Sequence, residues 1–328
     1  MYVVTGGAGF IGSNIVAALD ERQPGSVLVC DRLRDGVKWS NLATRELIDI
    51  VPPEELFAFL DRHARDVEAV IHMGAISSTV ETDADRIFVS NYRLSLGLWQ
   101  WCARHQVRLI YASSAATYGD GARGFDDDGD PKALAALRPL NAYGWSKNLF
   151  DRRVARLLAG GETSPPQWAG LKFFNVYGPN EYHKGDQRSV AVQIYERISR
   201  GEAARLFKSH RPDYGDGGQL RDFIWVGDCV DIVLWLLDHP GVSGLFNCGT
   251  GKARSFADLA AAVFAAADRK PKIEYVPMPE TLRAKYQYFT EARMDRLRAA
   301  GYGKPFTTLE EGVRRYVRDY LAQADRHR

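Results

Sequence analysis

A chain of 328 residues, 45% of them hydrophobic, is long enough for one large or two modest domains with a proper buried core. Its net charge of +2, with acids and bases interspersed, excludes the broad basic surface of a nucleic-acid or anionic-membrane binder, and no apolar run approaches the roughly 20 residues that cross a bilayer. Four scattered cysteines without a C-x-x-C pair and seven histidines without ligand spacing argue against a disulfide framework and against metal catalysis. With no signal peptide ahead of the first strand, they point to reduced thiols in a cytoplasmic protein.

Tyr2-Val3-Val4-Thr5 is a β-branched run, and Gly6-Gly7-Ala8-Gly9-Phe10-Ile11-Gly12 follows it directly, opening a helical pattern through Leu19. Strand, glycines and helix stand in the order a phosphate site requires: a tight turn, backbone N–H groups free to approach a pyrophosphate, and the positive end of a helix. Val27 to Asp31 reads as the next strand and ends in an acid about 20 residues after the last glycine, where a carboxylate takes adenosine ribose hydroxyls. Arg32, Arg34 and Lys38 crowd the same corner and suit a ribose 2′-phosphate. The acid favours NAD and the bases favour NADP; the balance leans to NADP, with NAD as the alternative.

Glu54 to Arg65 reads as a helix introduced by Pro52-Pro53, and Ala69 to Ala75 as the third parallel strand, which completes a βαβαβ half. Ser77-Ser78-Thr79 lies beyond that strand's carboxyl end, where ligands bind in such sheets. A helix over Ala84 to His105 carries Asn91, and Arg108 to Ser114 forms a fourth strand that delivers Ser114 to the same crevice. Phe125 to Asp130 has the look of a calcium loop, but no glutamate closes it at the required distance, so a solvated loop is expected.

Pro139-Leu140-Asn141-Ala142 starts a helix to about Leu158 that places Tyr143 and Lys147 one turn apart on one face. A phenol with a pKa near ~10 is a poor base at neutral pH, and a cation within about 4 to 6 Å favours its ionised form. Lys147 is expected to lower the Tyr143 pKa in this way. Leu171 to Tyr177 reads as a fifth strand. Beyond it, helices are expected over Ser189 to Arg200, Ser255 to Ala267 and Thr307 to Ala324. Strands are expected at Arg205 to Lys208, Arg221 to Val226 and Leu245 to Gly249, and Asp228 as the cap of a helix to Leu237.

Taken together, Gly6-x-x-Gly9-x-x-Gly12, Asp31, Ser114 and Tyr143-x-x-x-Lys147 resemble the extended short-chain dehydrogenase/reductases that act on nucleotide-linked sugars. Tyr111 to Gly119, Phe174 to Pro179, His183-Lys184-Gly185, Tyr286-Gln287-x-Phe289-Thr290 and Leu297 to Phe306 are similar to the epimerases of that family whose substrate is ADP-heptose. The segments near Asp126 to Asp130 and His210 to Gln219 run longer than the family pattern.

The resemblance implies an α/β fold, a Rossmann-type doubly wound parallel sheet with a smaller α/β substrate-binding region. A dinucleotide-binding domain would span 1–170, and a substrate region 171–328 would send some segments back to it. The implied chemistry is transient oxidation of the C6″ alcohol to a ketone and return of hydrogen to its other face. Tyr143, Ser114 and Lys147 are implied on one side of the sugar and Lys184 as the acid on the other. The implied dinucleotide contacts are Gly6, Gly9, Phe10, Ile11, Gly12, Asp31, Arg32, Lys38, Ala75, Asn91, Tyr143 and Lys147. The implied sugar-nucleotide contacts are Ser77, Ser114, Asn175, Lys184, Arg221 and Tyr286, and the implied assembly is a closed homo-oligomer, a pentamer. A UDP-hexose 4-epimerase would leave Lys184 idle, and a dinucleotide-sensing protein would not need the Ser114, Tyr143 and Lys147 set. A 4,6-dehydratase would carry an acidic pair where Ala115-Ala116 stands.

Overall fold

The computed structural model of the chain describes residues 1–283 and 286–328. In chain order its strands are β1 (Tyr2–Thr5), β2 (Val27–Cys30), β3 (Leu47–Val51), β4 (Ala69–His72), β5 (Arg108–Ser114), β6 (Trp168–Phe173), β7 (Asn175–Tyr177), β8 (Ala204–Phe207), β9 (Leu220–Trp225), β10 (Gly244–Cys248), β11 (Ala253–Ser255) and β12 (Ile273–Val276). The helices are α1 (Phe10–Arg22), α2 (Leu56–Arg62), α3 (Ala84–Ile87), α4 (Leu94–His105), α5 (Pro131–Ala136), α6 (Ala142–Ala159), α7 (Val190–Ser199), α8 (Val226–Asp238), α9 (Phe256–Ala266), α10 (Glu280–Arg283), α11 (Asp295–Ala299) and α12 (Leu309–Arg315).

Seven strands form one parallel sheet in the order β10-β6-β5-β4-β1-β2-β3, with the reversal of direction beside β1 that leaves a crevice at the strand ends. Its central strands are apolar on both faces because helices cover both. Ile15 and Leu19 of α1 and Val230 and Val233 of α8 pack one face, while Leu56 of α2, Leu98 of α4 and Phe150 and Val154 of α6 pack the other. Each such side chain stabilises the fold by about 1.5 to 3 kcal/mol relative to exposure. A second core joins α7, α9 and α12 through Val192, Ile198, Leu259, Val263 and Val313. Two small sheets, β11-β9-β7 and β12-β8, flank that core.

The structure amends several expectations. The strand at Ala69 is the fourth, because the short run Leu47–Val51, interrupted by Asp49, forms an edge strand with Ile48 and Ile50 partly exposed. The expected fifth strand divides at Phe174: its N–H still donates to Cys248 O (3.0 Å), but the Val176 N–H turns back to Phe174 O (2.9 Å), and β7 leaves to pair with β9. A division at 170 therefore falls inside β6. Between α3 and α4 the expected helix widens into a π-helical segment over Phe88–Arg93, centred on Asn91.

Asp228 does not cap α8, which starts two residues earlier; its carboxylate accepts from the Thr307 N–H and hydroxyl, both at 2.8 Å. Nor is the acidic loop merely solvated. Phe125 enters the core against Tyr118, Asp127 is buried and accepts the Asn247 N–H (2.7 Å), Asp126 pairs with Arg293, and Asp130 caps α5. Among the described residues no cluster of metal-ligating side chains occurs, and no helix is long and apolar enough to cross a membrane. The segment from His210 closes onto Tyr288, whose hydroxyl accepts the His210 N–H (3.0 Å).

Candidate active site

A cleft of about 1500 Å³ runs along the carboxyl ends of the central strands and gathers most of the residues singled out from the sequence. At its β1 end the chain turns at Gly6 (φ 66°), where a Cβ would stand 2.6 Å from the Gly74 nitrogen; a Cβ on Gly12 would stand 2.1 Å from Gly6 O. Only glycine permits this approach of turn, helix and neighbouring strand. Gly9 holds the N-cap position of α1 and brings no side-chain acceptor, so the first-turn N–H groups, with Phe10 and Ile11, are presented to the cleft. These features fit a dinucleotide pyrophosphate.

The acid after β2 is already engaged. Asp31 accepts the Ala8 N–H on Oδ2 (3.0 Å), and its Oδ1 takes the Arg32 N–H (2.7 Å) and Lys38 Nζ (2.5 Å). The Arg32 guanidinium reaches Glu54 (3.0 Å). Arg34, held at φ 55°, lines the same corner and has no ion-pair partner among the described residues. Ala75 and Ser77 line the cleft beyond β4. Asn91 does not: its amide is spent on Ile76 N (2.8 Å), Ile76 O (3.0 Å) and Ser146 Oγ (3.1 Å), which fastens the loop after β4 to α6.

On the sheet side of the cleft, α6 begins at Asn141, whose side chain accepts the Gly144 N–H (2.8 Å). Gly144 lets the helix touch the turn after Ser114, since a Cβ there would lie 2.6 Å from Ala116 O. Tyr143 and Ser114 thereby face each other, and the Ser114 hydroxyl accepts the Ala116 N–H (3.1 Å). Lys147 is buried, donates to Ala112 O (2.8 Å), and is lowered to about 8 by desolvation, with Asp151 pulling it back up. Burial raises the Tyr143 pKa above its ordinary value; Ser114 opposes that and Asp151 adds to it. The expected lowering by Lys147 is therefore overturned: desolvation prevails, and Ser114 is the group that favours the phenolate.

Beneath this pair lies His72, which sequence alone did not single out. Its Nδ1 is 2.6 Å from Thr5 Oγ1 and its Nε2 is 2.8 Å from Ser95 Oγ. Ser95 donates onward to Asn91 O, so the network selects the neutral Nε2–H form. Burial, with Lys147 nearby, lowers its pKa to about 3.

The wall that carries Lys184 is irregular. Lys184 sits in a 3₁₀ segment, Tyr182–Gln187, that kinks at Gly185 (φ 56°), and its Nζ lies 5.5 Å from the centre of the Phe10 ring. Burial lowers the Lys184 pKa, and Glu181 offsets part of that. Glu181 is itself buried and fixed by the Ser189 hydroxyl (2.6 Å), the Ser189 N–H and the Tyr316 hydroxyl (2.8 Å). Asn175 is exposed on β7 at the cleft. Arg221 is sandwiched between Phe256 (5.7 Å) and Tyr286 (5.1 Å) and bonds Leu220 O and Gln287 O; neither Arg221 nor Tyr286 lines the cleft.

A doubly wound parallel sheet with a glycine turn, and serine, tyrosine and lysine at one crevice, defines a dinucleotide-dependent enzyme of the short-chain dehydrogenase/reductase type. The chain belongs to the NAD dependent epimerase/dehydratase family, whose model matches residues 2–249. It is 54% identical over 328 residues, 99% of either chain, to the ADP-L-glycero-D-manno-heptose-6-epimerase of Nitratidesulfovibrio vulgaris (strain DP4). Among solved structures it resembles the Helicobacter pylori ADP-L-glycero-D-manno-heptose-6-epimerase (TM-score 0.77, 25% identity, 96% of this chain and 94% of that one). It also resembles the Thermus thermophilus UDP-glucose 4-epimerase in complex with NAD (TM-score 0.75, 26% identity, 98% and 99%).

Proposed function

We propose that this chain interconverts the C6″ epimers of ADP-glycero-manno-heptose, forming the L-glycero sugar that lipopolysaccharide inner-core synthesis uses. The observation that carries the reading is that two groups suited to proton transfer, Tyr143 on α6 and Lys184 on the 3₁₀ segment Tyr182–Gln187, line one cleft. Full-length similarity to relatives bearing the heptose-epimerase name supports the choice of sugar.

An unactivated C–H centre is hard to invert by deprotonation, whereas a ketone accepts hydrogen on either face. A bound nicotinamide supplies a reversible two-electron acceptor for the C6″ hydrogen. Tyr143 takes the hydroxyl proton in one orientation of the sugar, with Ser114 favouring the phenolate and Lys147 holding charge beside the nicotinamide ribose. After the ketone turns, Lys184 returns a proton to the oxygen from the other side, and desolvation makes its ammonium a readier donor. Asn175 and Ser77, which line the cleft, orient the sugar and its diphosphate. No net redox change results.

The cofactor in this proposal is NADP: Lys38 already neutralises Asp31, which leaves Arg34 for a 2′-phosphate. A closed homo-oligomer, a pentamer, in the cytoplasm is the accompanying reading, and the four free, buried cysteines suit a reducing compartment. The test is incubation of the purified protein with ADP-D-glycero-D-manno-heptose without added dinucleotide, resolving the epimers by anion exchange and proton NMR. Interconversion is expected. No conversion even with NADP and NAD supplied overturns the reading.

A further inference from the structure

The chemistry above makes no use of a polar cluster lodged in the core behind α6. Lys172 on β6 and Asp151 on α6 are both 0% exposed at the side chain, with Nζ and Oδ2 3.0 Å apart. Lys172 also donates to Thr117 Oγ1 (2.7 Å) and lies 4.8 Å from the centre of the Tyr118 ring. Asp151 accepts the Ser113 hydroxyl (2.6 Å) and the Tyr111 hydroxyl (3.3 Å). Removing two charges from water is costly, and well-packed apolar residues of similar volume serve a core as well or better. What distinguishes this pair is where its bonds lead.

Thr117, held by Lys172, donates to Ser114 O (2.8 Å) and so fixes the turn that presents Ser114. Asp151 lies one helical turn beyond Lys147 on the same face of α6. Lys147 points instead to Ala112 O, which leaves the Asp151 carboxylate to Lys172. Lys172 thus touches both supports, the turn behind Ser114 and the helix of Tyr143 and Lys147. We propose that the Lys172–Asp151 pair is a positioning device for the Ser114–Tyr143–Lys147 group: it locks strand end to helix, and Lys172 offsets part of the Asp151 charge that acts on Lys147. This rests on the proposed function for its meaning in catalysis, but not for its test.

The charged and titratable groups acting on Tyr143 and Lys147 are Asp151 on their own helix and His72 on β4, and Asp151 is in turn faced by Tyr111 on β5, Lys172 on β6 and Tyr118 beyond β5. Of these, Asp151 is the one that raises Lys147. With Lys172→Met the Asp151 carboxylate loses its counter-charge and its pull on Lys147 strengthens, while Ser113 and Tyr111 still donate to it.

The experiment is NMR titration of ¹³Cε-lysine in the protein as purified, the Lys147 signal being assigned by its loss in Lys147→Met. From about 8 in the unaltered chain, the Lys147 midpoint is expected to rise by about one unit in Lys172→Met. It should fall back to or below its starting value in Lys172→Met/Asp151→Asn and keep that starting value in Lys172→Arg. An unmoved midpoint in folded Lys172→Met overturns the proposal. Should that variant fail to fold, the double variant, which buries no lone charge, decides alone: a midpoint raised above that of the unaltered chain overturns the proposal. In turnover, Lys172→Met should lower kcat with KM for ADP-heptose unchanged. Absence of epimerisation in the unaltered chain would sink the function while the titration still judges the pair.

Discussion

The two walls of the cleft are built on different principles. Tyr143 and Lys147 ride on an 18-residue capped helix packed on a seven-stranded sheet, with a saturated polar network of His72, Asn91, Asp151 and Lys172 behind them. Lys184 stands on one 3₁₀ turn, kinked at Gly185 and braced through Glu181 by Ser189 and Tyr316, elements of the smaller core. The first wall is a rigid reference; the second is set by how the smaller region closes on the sheet. The two groups proposed for proton transfer thus have separate supports, so substitution at one is expected to leave the other in place.

That separation is open to attack by mutation. Tyr143→Phe should lower C6″ epimerisation in both directions by about 10³-fold, with bound dinucleotide unchanged by absorbance; wild-type turnover would contradict the role of the first wall. Lys184→Met should cost about 10²-fold with the fold intact by circular dichroism. A silent Lys184→Met would make the walls unequal, as a single-tyrosine 4-epimerase requires.

The rigidity of the first wall has a pH signature. Burial holds His72 at about 3, below the roughly 6.5 of an unfolded histidine, so between those values the unfolded chain binds a proton that the fold refuses. Stability from this group is complete above pH 6.5 and declines as pH falls, by about 2 kcal/mol at pH 5. Urea midpoints from pH 7.5 to 5 should fall more steeply for the wild type than for His72→Gln; parallel slopes would refute the neutral buried imidazole. The smallest effect concerns the cofactor corner. Arg34→Ala should weaken NADP by about tenfold and leave NAD unchanged in fluorescence titration; equal loss for both would assign Arg34 no part in the 2′-phosphate.

The same contrast governs how much of the molecule was legible in its sequence. Glycine turn, strand ends and the Tyr143–Lys147 spacing depend on local periodicity, and the sheet follows from them. Lys184 has no local signature; only the resemblance of His183-Lys184-Gly185 to a family motif drew attention to it. What escaped depends on partners distant in the chain: Asp127 under Asn247, His72 between Thr5 and Ser95, and Lys172 against Asp151. A lysine in the middle of an apolar strand is nonetheless a readable anomaly, because a fully buried lysine requires a partner. The break at Phe174 left no mark in composition, since Leu171 to Tyr177 is apolar throughout except for Lys172 and Asn175.

The proposed function requires that C6″ be inverted through a ketone, with its own hydrogen returned to the opposite face. It is tested most directly with ADP-D-glycero-D-manno-heptose carrying deuterium at C6″, converted in ordinary water and followed by proton NMR and mass spectrometry. Deuterium retained at C6″ of the L-glycero product is the predicted result. Deuterium lost to solvent at the rate of epimerisation would mean inversion by direct deprotonation and would contradict the account.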